Sequence, residues 1–389
     1  MKKYFFYGSS ILFSRGLEYI VLFIAPLYLS KENYGSLEFY KKLIELGAAI
    51  LTFGLPTLIL SYPKSKDSKV YFTFIALLFI SLLAVISAPF LAVFSYLFLL
   101  VPIYFHSIFF NNGIFAPFIL TYKGSNFASV YKGLISLVFY AVVLIGIFYS
   151  KDPDMAFVYV GYILSPILLC YTLFYIYKKN IVLNKLKRYW RLFRQLIIGS
   201  LTIVISNFAN MMFLYTDILI IKILSDNAAI EIADYSFSLN IANALMLIPL
   251  TLVQVDIEKL KANLNYVVLL RKKILFLVAA SAVLLVLLFL FLTHFYVKNY
   301  SSVLYIFLII LGAKIFQSIS VSYGAIIIIE KLFSQNLFIN ISALVINIIL
   351  TYFLYDQLGL IGVALSSIIS LIIRFVLLVR INRKVSLKQ

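Results

Sequence analysis

Ile274 to Leu292 reads ILFLVAASAVLLVLLFLFL, an uncharged run preceded by Arg271, Lys272 and Lys273 and followed by Thr293 and His294. A helix of about 20 apolar residues, rising about 1.5 Å per residue, crosses a hydrocarbon core roughly 30 Å thick. The run therefore predicts a membrane-spanning helix over 273–293. Most of the chain shares its character. Of 389 residues, 63% are hydrophobic and 12% charged, with a mean hydropathy of +1.05, whereas soluble domains carry about 25% charged residues. The chain lacks the polar surface that water demands and is read as an all-α integral membrane protein. Twelve crossings of about 20 residues would use about 240 residues, which leaves little for a soluble domain.

Punctuation by charged residues, Asn, Gly and Pro predicts helices over 4–30, 36–62, 70–88, 91–121, 133–150 and 155–177, then over 195–223, 234–254, 273–293, 300–329, 333–354 and 358–379. A loop is expected at Pro89, which cannot donate into a helical ladder. Residues 1–178 form an N-terminal six-helix lobe, 179–194 a basic interfacial connector and 195–389 a C-terminal six-helix lobe. The basic stretch alternates Lys185, Lys187, Arg188, Arg191 and Arg194 with Leu183, Leu186, Trp190 and Phe193, as an amphipathic segment on a membrane surface does. Two such lobes around a central cavity suit rocking about a midplane site.

The net charge of +18 would suit nucleic acid, but its placement follows the membrane instead. Basic residues accumulate in short cytoplasmic loops. Lys2, Lys3, Lys64, Lys66, Lys69, Lys123, Lys132, the cluster from Lys178 to Arg194, the group from Lys259 to Lys273, Lys331 and the residues after 379 fall on one side. Only Lys31, Lys151 and Lys298 fall on the other, where Asp152, Asp154, Asp226, Glu231, Asp234 and Asp356 gather. Both termini are expected in the cytoplasm, and no nucleic-acid partner is expected. Cys170 is the sole cysteine, and His106 and His294 are the sole histidines, which excludes disulfide frameworks and the usual zinc spacings. Lys2 and Lys3 before an apolar stretch imitate a signal peptide, but no small-residue cleavage site follows and Arg15 interrupts the run, so this is read as the first membrane helix.

Several short pieces recur in order along the chain: Leu29-Ser30-Lys31-Glu32-Asn33-Tyr34-Gly35-Ser36, Phe53-Gly54-Leu55-Pro56, Tyr215-Thr216-Asp217, Asp234-Tyr235-Ser236 and Gly359-Leu360-Ile361-Gly362-Val363-Ala364-Leu365. With these, the chain resembles polysaccharide flippases, the O-antigen transporter branch of the multidrug, oligosaccharidyl-lipid and polysaccharide exporter superfamily. The resemblance spans nearly the whole chain. The lack of an extra helix pair argues against the fourteen-helix lipid II flippase branch. The resemblance implies a transporter in a bacterial inner membrane that flips a lipid-linked oligosaccharide, carried on polyprenyl pyrophosphate, for lipopolysaccharide or another surface polysaccharide. Membrane lipids and polysaccharide polymerase or assembly proteins are the implied partners. No cofactor is expected beyond a coupling proton or sodium ion.

Charges buried in a membrane are costly and mark function by default. Arg15 lies roughly 16 Å into the first predicted helix at about 1.5 Å per residue, with Glu18 one turn beyond. The second predicted helix carries Glu38, Lys41, Lys42 and Glu45. Equal depths pair Arg15 with Glu45, and Glu18 with Lys41 or Lys42, as structural ion pairs. The other reading has Arg15 and Lys41 facing water and attracting the substrate's phosphate, since an Arg fork suits phosphate oxygens. Lys314 has no acid on its own helix face and either lies between helices or contacts phosphate or sugar. Arg374 is expected to snorkel to headgroups. Asn207, Asn210 and Asp217 share one stripe at helical spacing, to which Asn240 and Asn243 add. They serve either as interhelical amide contacts or as a site in which Asp217 binds the coupling ion and the amides contact sugar hydroxyls. His106 and Gln317 are expected to be packing groups.

An enzyme reading needs acid, base or His groups presented in a sizeable loop, and the predicted outer loops are short. The closer rival is a cation-coupled drug or metabolite antiporter of the same superfamily. An acid-lined pocket would favour it, yet the intramembrane bases Arg15, Lys41, Lys42, Lys222, Lys314 and Arg374 outnumber Glu18, Glu38, Glu45 and Asp217. That excess leans towards an anionic cargo.

Overall fold

The computed structural model describes residues 2–61, 65–110, 113–178, 183–262 and 266–386. Lys64, Lys179 and Lys388, counted above on the basic side, lie outside the described residues, as do positions 179–182 of the expected connector. Every regular element among the described residues is helical, the arrangement that satisfies backbone groups within each segment when no water is available.

In chain order the helices are α1 (Lys2–Tyr28), α2 (Lys31–Thr52), α3 (Leu55–Ser61), α4 (Lys66–Val93), α5 (Leu100–Phe109), α6 (Phe115–Tyr122), α7 (Ser125–Tyr149), α8 (Ala156–Lys178), α9 (Leu183–Leu224), α10 (Ala228–Asn243), α11 (Leu247–Ala262), α12 (Tyr266–Phe295), α13 (Leu304–Ile329), α14 (Phe333–Leu358) and α15 (Leu360–Ser386). With α2–α3, α5–α6 and α10–α11 each taken as one interrupted segment, these make twelve segments. Eight described helices are long and apolar enough to span a membrane without further argument. The chain is a multi-pass membrane protein.

Three departures from the sequence reading have local causes. Pro89 sits inside α4 rather than in a loop, and the turn comes at 94–96, where Ser95 takes a left-handed φ of 61°. The second predicted helix is interrupted after Thr52, where Phe53 and Gly54 adopt φ of 42° and 71°, a conformation that glycine enters without steric cost. The fourth predicted helix, expected over 91–121, is divided into α5 and α6. The Tyr131 hydroxyl donates to the Phe109 carbonyl at 2.8 Å, and Lys69 Nζ donates to the Thr121 carbonyl at 2.6 Å. Both supply donors to carbonyls that helix ends leave unpaired.

The chain divides into two compact units, Met1–Leu29 with Ser36–Val204, and Ser30–Gly35 with Ile205–Gln389. Residues 183–194 of the basic stretch are the first turns of α9, whose residues are shared between the units. In the first unit α1 packs along α7, and α5, α6, α7 and α8 pack on one another. Ser14 and Ser136 hydrogen-bond at 2.6 Å between α1 and α7. His106 lies among Phe105, Phe110 and Phe139. In the second unit α13 and α14 both pack on α15, while α10, α11 and α12 pack on α13. Phe237, Phe289, Tyr300 and Phe307 form its aromatic core.

The short segment Ser30–Gly35 belongs to the second unit and is held there closely. Lys31 Nζ donates to Asp234 Oδ1 at 2.6 Å and lies 4.8 Å from the Tyr300 ring centroid. Asn240 Nδ2 donates to the Tyr34 hydroxyl at 3.2 Å. Gly35 faces the Ala229 carbonyl so closely that a Cβ would stand 1.7 Å from its oxygen.

Candidate functional site

The first unit gathers charges from α1 and α2. Glu18 is the link between them. Its Oε2 accepts from Arg15 at 2.7 Å and its Oε1 from Lys41 at 3.2 Å, while Lys42 faces Glu45 at 3.5 Å. The expected pair of Glu18 with Lys41 is therefore present, but Arg15 pairs with Glu18 on its own helix instead of Glu45. Depth along the helix axis made Arg15 and Glu45 level, yet residues three apart on one helix already face each other. The Lys41 side chain is buried, only 3% of it exposed, whereas Arg15 exposes 47%. A guanidinium has five N–H donors, and Arg15 uses one of its nitrogens on Glu18 among the described residues.

Two neighbours complete this cluster. Lys132 was counted with a basic loop, but it lies on α7 within the helix, in the electrostatic field of Arg15. No carboxylate pairs with Lys132 among the described residues. Glu38 is fully buried, and neither of its carboxyl oxygens finds a hydrogen-bond partner among the described residues. Lys41 feels its charge together with those of Glu18 and Glu45. Packing buries His106 rather than presenting it, and its Nε2 lacks a described partner.

The second unit centres on Asp217, buried on α9. Its carboxylate accepts from Tyr235 on α10, from Asn347 Nδ2 on α14 at 2.8 Å and from Ser367 Oγ on α15 at 2.6 Å. Ser366 and Ser370 add hydroxyls to Asn347 Oδ1 at 3.5 and 3.4 Å, and Ser366 also meets Thr351. Four helices thus meet through one carboxylate. Lys314 on α13 borders the same small cavity as Asp217, Tyr235 and Ser367, about 10 Å³ in volume, room for about one water. Lys314 Nζ donates to Gln317 Oε1 at 2.9 Å, which gives Gln317 a specific partner.

The stripe read along α9 separates in the structure. Asp217 is buried, Asn210 is half-buried and Asn207 is exposed, and among the described residues neither amide joins the Asp217 network. Ser206 takes the interhelical contacts instead. Asn336 Nδ2 donates to its hydroxyl at 2.9 Å and Asn340 Nδ2 at 3.1 Å. Asn340 Oδ1 in turn accepts from Arg374 Nε at 3.1 Å, while Arg374 also donates to Ser320 at 3.3 Å. Arg374 therefore lies between helices, held by polar groups, instead of snorkelling to headgroups. The sequence reading passed over Asn336, Asn340, Asn347 and Thr351, although their intervals of 4, 7 and 4 put them on one face of α14.

No protein-family model matches the chain, and no curated protein matches it by sequence. Its fold is shared with solved transporters. A lipid II flippase, MurJ, in an inward closed conformation superposes with a TM-score of 0.71 at 18% identity, over 97% of this chain and 87% of that one. An outward-facing multidrug resistance transporter of the MATE family, in the MOP superfamily, gives 0.65 at 14% identity, over 98% and 95%. A MOP superfamily transporter from Pyrococcus furiosus, described as having a binding pocket of reverse polarity, gives 0.55 at 15% identity, over 100% and 96%. At these identities the likeness is one of fold. The chain has the fold of MOP superfamily transporters.

Proposed function

We propose that this chain is a flippase that moves a polyprenyl-pyrophosphate-linked oligosaccharide, an O-antigen or other surface polysaccharide repeat unit, across a bacterial plasma membrane by alternating access. The observation that carries this reading is Arg15, whose side chain is half exposed while paired with Glu18, with Lys132 in its field. A guanidinium with one nitrogen on Glu18 and a second cation nearby suits phosphate oxygens, which accept from an Arg fork in paired fashion. The likeness in fold to a lipid II flippase supports a lipid-linked cargo. Lys41, Lys42, Glu18 and Glu45 hold the cluster in place. Exchange of the Glu18 contact for a phosphate would favour one conformation over another by its difference in interaction energy.

In the second unit, Lys314 supplies a further cation for the phosphate or glycan, and Asn207 and Asn210 are amides suited to sugar hydroxyls. Asp217 is the coupling residue. A proton or sodium ion on its carboxylate would replace interactions with Tyr235, Asn347 and Ser367 and so alter how four helices are joined. The excess of Lys and Arg on one set of loops supports a cytoplasmic side for both termini.

A cation-coupled antiporter of small molecules is the second reading, and the buried Asp217 network is what favours it. Deletion of the gene separates the two. A flippase leaves lipid-linked oligosaccharide on the cytoplasmic leaflet, restored to export by the wild-type chain and less so by Arg15→Ala at equal expression. An absence of stranded lipid-linked oligosaccharide would remove the flippase reading.

A further inference from the structure

The first unit carries a large apolar groove that neither Arg15 nor Lys132 lines. It has a volume of about 490 Å³ and runs between α5–α6, α7 and α8. Along α7 it is bounded by Phe127, Val130, Tyr131, Leu134, Ile135 and Val138, and it opens broadly, with Leu134 63% exposed and Ile167 64% exposed. The division of one membrane segment into α5 and α6 helps create this hollow, because α6 begins only at Phe115. Tyr131 both lines the hollow and donates to the Phe109 carbonyl at the end of α5.

The two ends of the groove differ. Lys123 lies at one end, with Nζ 5.4 Å from the Phe127 ring centroid. Lys69 reaches the neighbouring backbone by donating to the Thr121 carbonyl at 2.6 Å. Neither lysine is paired with a carboxylate among the described residues. The remaining lining is hydrocarbon and aromatic, as far as Val138. A long apolar slot with cations at one end complements a lipid whose chain lies in the slot and whose anionic head meets the lysines.

Length shows how much chain the groove can take. From Lys123 to Val138 the groove follows α7 for roughly 20 Å at about 1.5 Å per residue, whereas one leaflet offers about half of a hydrocarbon core roughly 30 Å thick. The groove therefore takes several consecutive isoprene units. We infer that this groove binds the polyprenyl chain of a polyprenyl phosphate, with Lys123 and Lys69 at its phosphate end. Phe109, Phe115, Phe118, Phe127, Tyr131 and Tyr171 line it with rings, which suit the planar double bonds and methyl branches of that chain. The inference rests on the lipid-linked reading above and adds a location for the tail.

The test uses the full chain in phosphatidylcholine nanodiscs and a sugar-free polyprenyl monophosphate as probe. Leu134→Trp fills the groove from an exposed position, Lys123→Glu reverses the charge at its head, and Leu137→Trp places the same bulk on α7 outside the groove. Binding should weaken by about tenfold or more in the first two variants and by less than about twofold in the third, with thermal melting alike in all. An excess of phosphatidylglycerol should leave the probe bound. Equal binding by Leu134→Trp and wild type would overturn the groove while leaving the lipid-linked reading intact. Displacement by phosphatidylglycerol would also overturn it, because the site would then take any anionic lipid. A wild-type chain that fails to bind the probe overturns the inference too, and the gene deletion then judges the function separately.

Discussion

Asp217 accepts a hydrogen bond at 2.6 Å from Ser367, 150 residues later in the chain, and by this contact α9 is tied to α15. The same carboxylate takes donors from α10 and α14. It is a shared acceptor whose loss would leave several buried donors unpaired at once. Removing one partner of a buried hydrogen bond costs about 1–3 kcal/mol in desolvation of the group left behind.

Asp217→Asn should therefore fold with a lower melting temperature, destabilised by about 1–3 kcal/mol, and should transport without response to an imposed proton or sodium gradient. Flux in reconstituted vesicles with and without each gradient checks this. Gradient dependence equal to wild type would remove Asp217 from coupling.

The Glu18–Lys41 contact bridges α1 and α2 at 3.2 Å with Lys41 buried. Breaking a buried pair from one side typically costs about 3–5 kcal/mol, because the other charge is left uncompensated. Glu18→Gln and Lys41→Met alone should each lower folded yield markedly, and the double variant should recover much of the loss. A double-mutant cycle on thermal stability measures the coupling, and additive losses would contradict the pair.

Gly35→Ala should be among the most damaging small changes in the second unit. Its Cβ would stand 1.7 Å from the Ala229 oxygen, so backbone must separate, at a cost of at least about 1–3 kcal/mol by the behaviour of overpacked sites. Gly124→Ala is no control because Gly124 has φ of 101°. Gly199→Ala is one, since a Cβ there meets nothing within 4 Å. Comparable folded yields for Gly35→Ala and Gly199→Ala would sink the assignment of close packing.

If Arg15 and Lys132 attract phosphate, removing either charge should lower the initial rate of transport by about tenfold, or about 1.4 kcal/mol. Arg15→Lys should restore only part of it, because a point charge lacks the guanidinium fork. Initial rates at matched protein density test this, and full activity of Arg15→Ala with Lys132→Ala would reduce both to structural roles.

The helical membrane fold was legible because apolar runs such as Ile274 to Leu292 have few alternatives in a bilayer. The interruptions were less so. Pro89 suggested a loop by its missing donor, yet a helix can carry proline where surrounding groups satisfy the freed carbonyl. The carbonyl at the division after Phe109 is satisfied by Tyr131, a residue on another helix. Within the candidate sites, Arg15, Glu18, Lys41 and Lys42 were found because buried charge is conspicuous. Their pairing was partly misread because axial depth carries no information about the direction a side chain takes around the helix. Asn347 and Ser367 escaped because neutral polar residues on separate helices gain meaning only once folding brings them to Asp217. The interval pattern of Asn336, Asn340, Asn347 and Thr351 was the signal that would have found the α14 face.

The most direct test is transport by the purified chain in sealed liposomes, with a polyprenyl-pyrophosphate-linked oligosaccharide supplied in one leaflet and its glycan probed from the other side. The predicted result is protein-dependent appearance of glycan in the opposite leaflet, slowed by Arg15→Ala and absent for a neutral glycolipid of similar size. Equal movement of the neutral glycolipid, or transport of a small cation with no movement of the lipid-linked oligosaccharide, would contradict it.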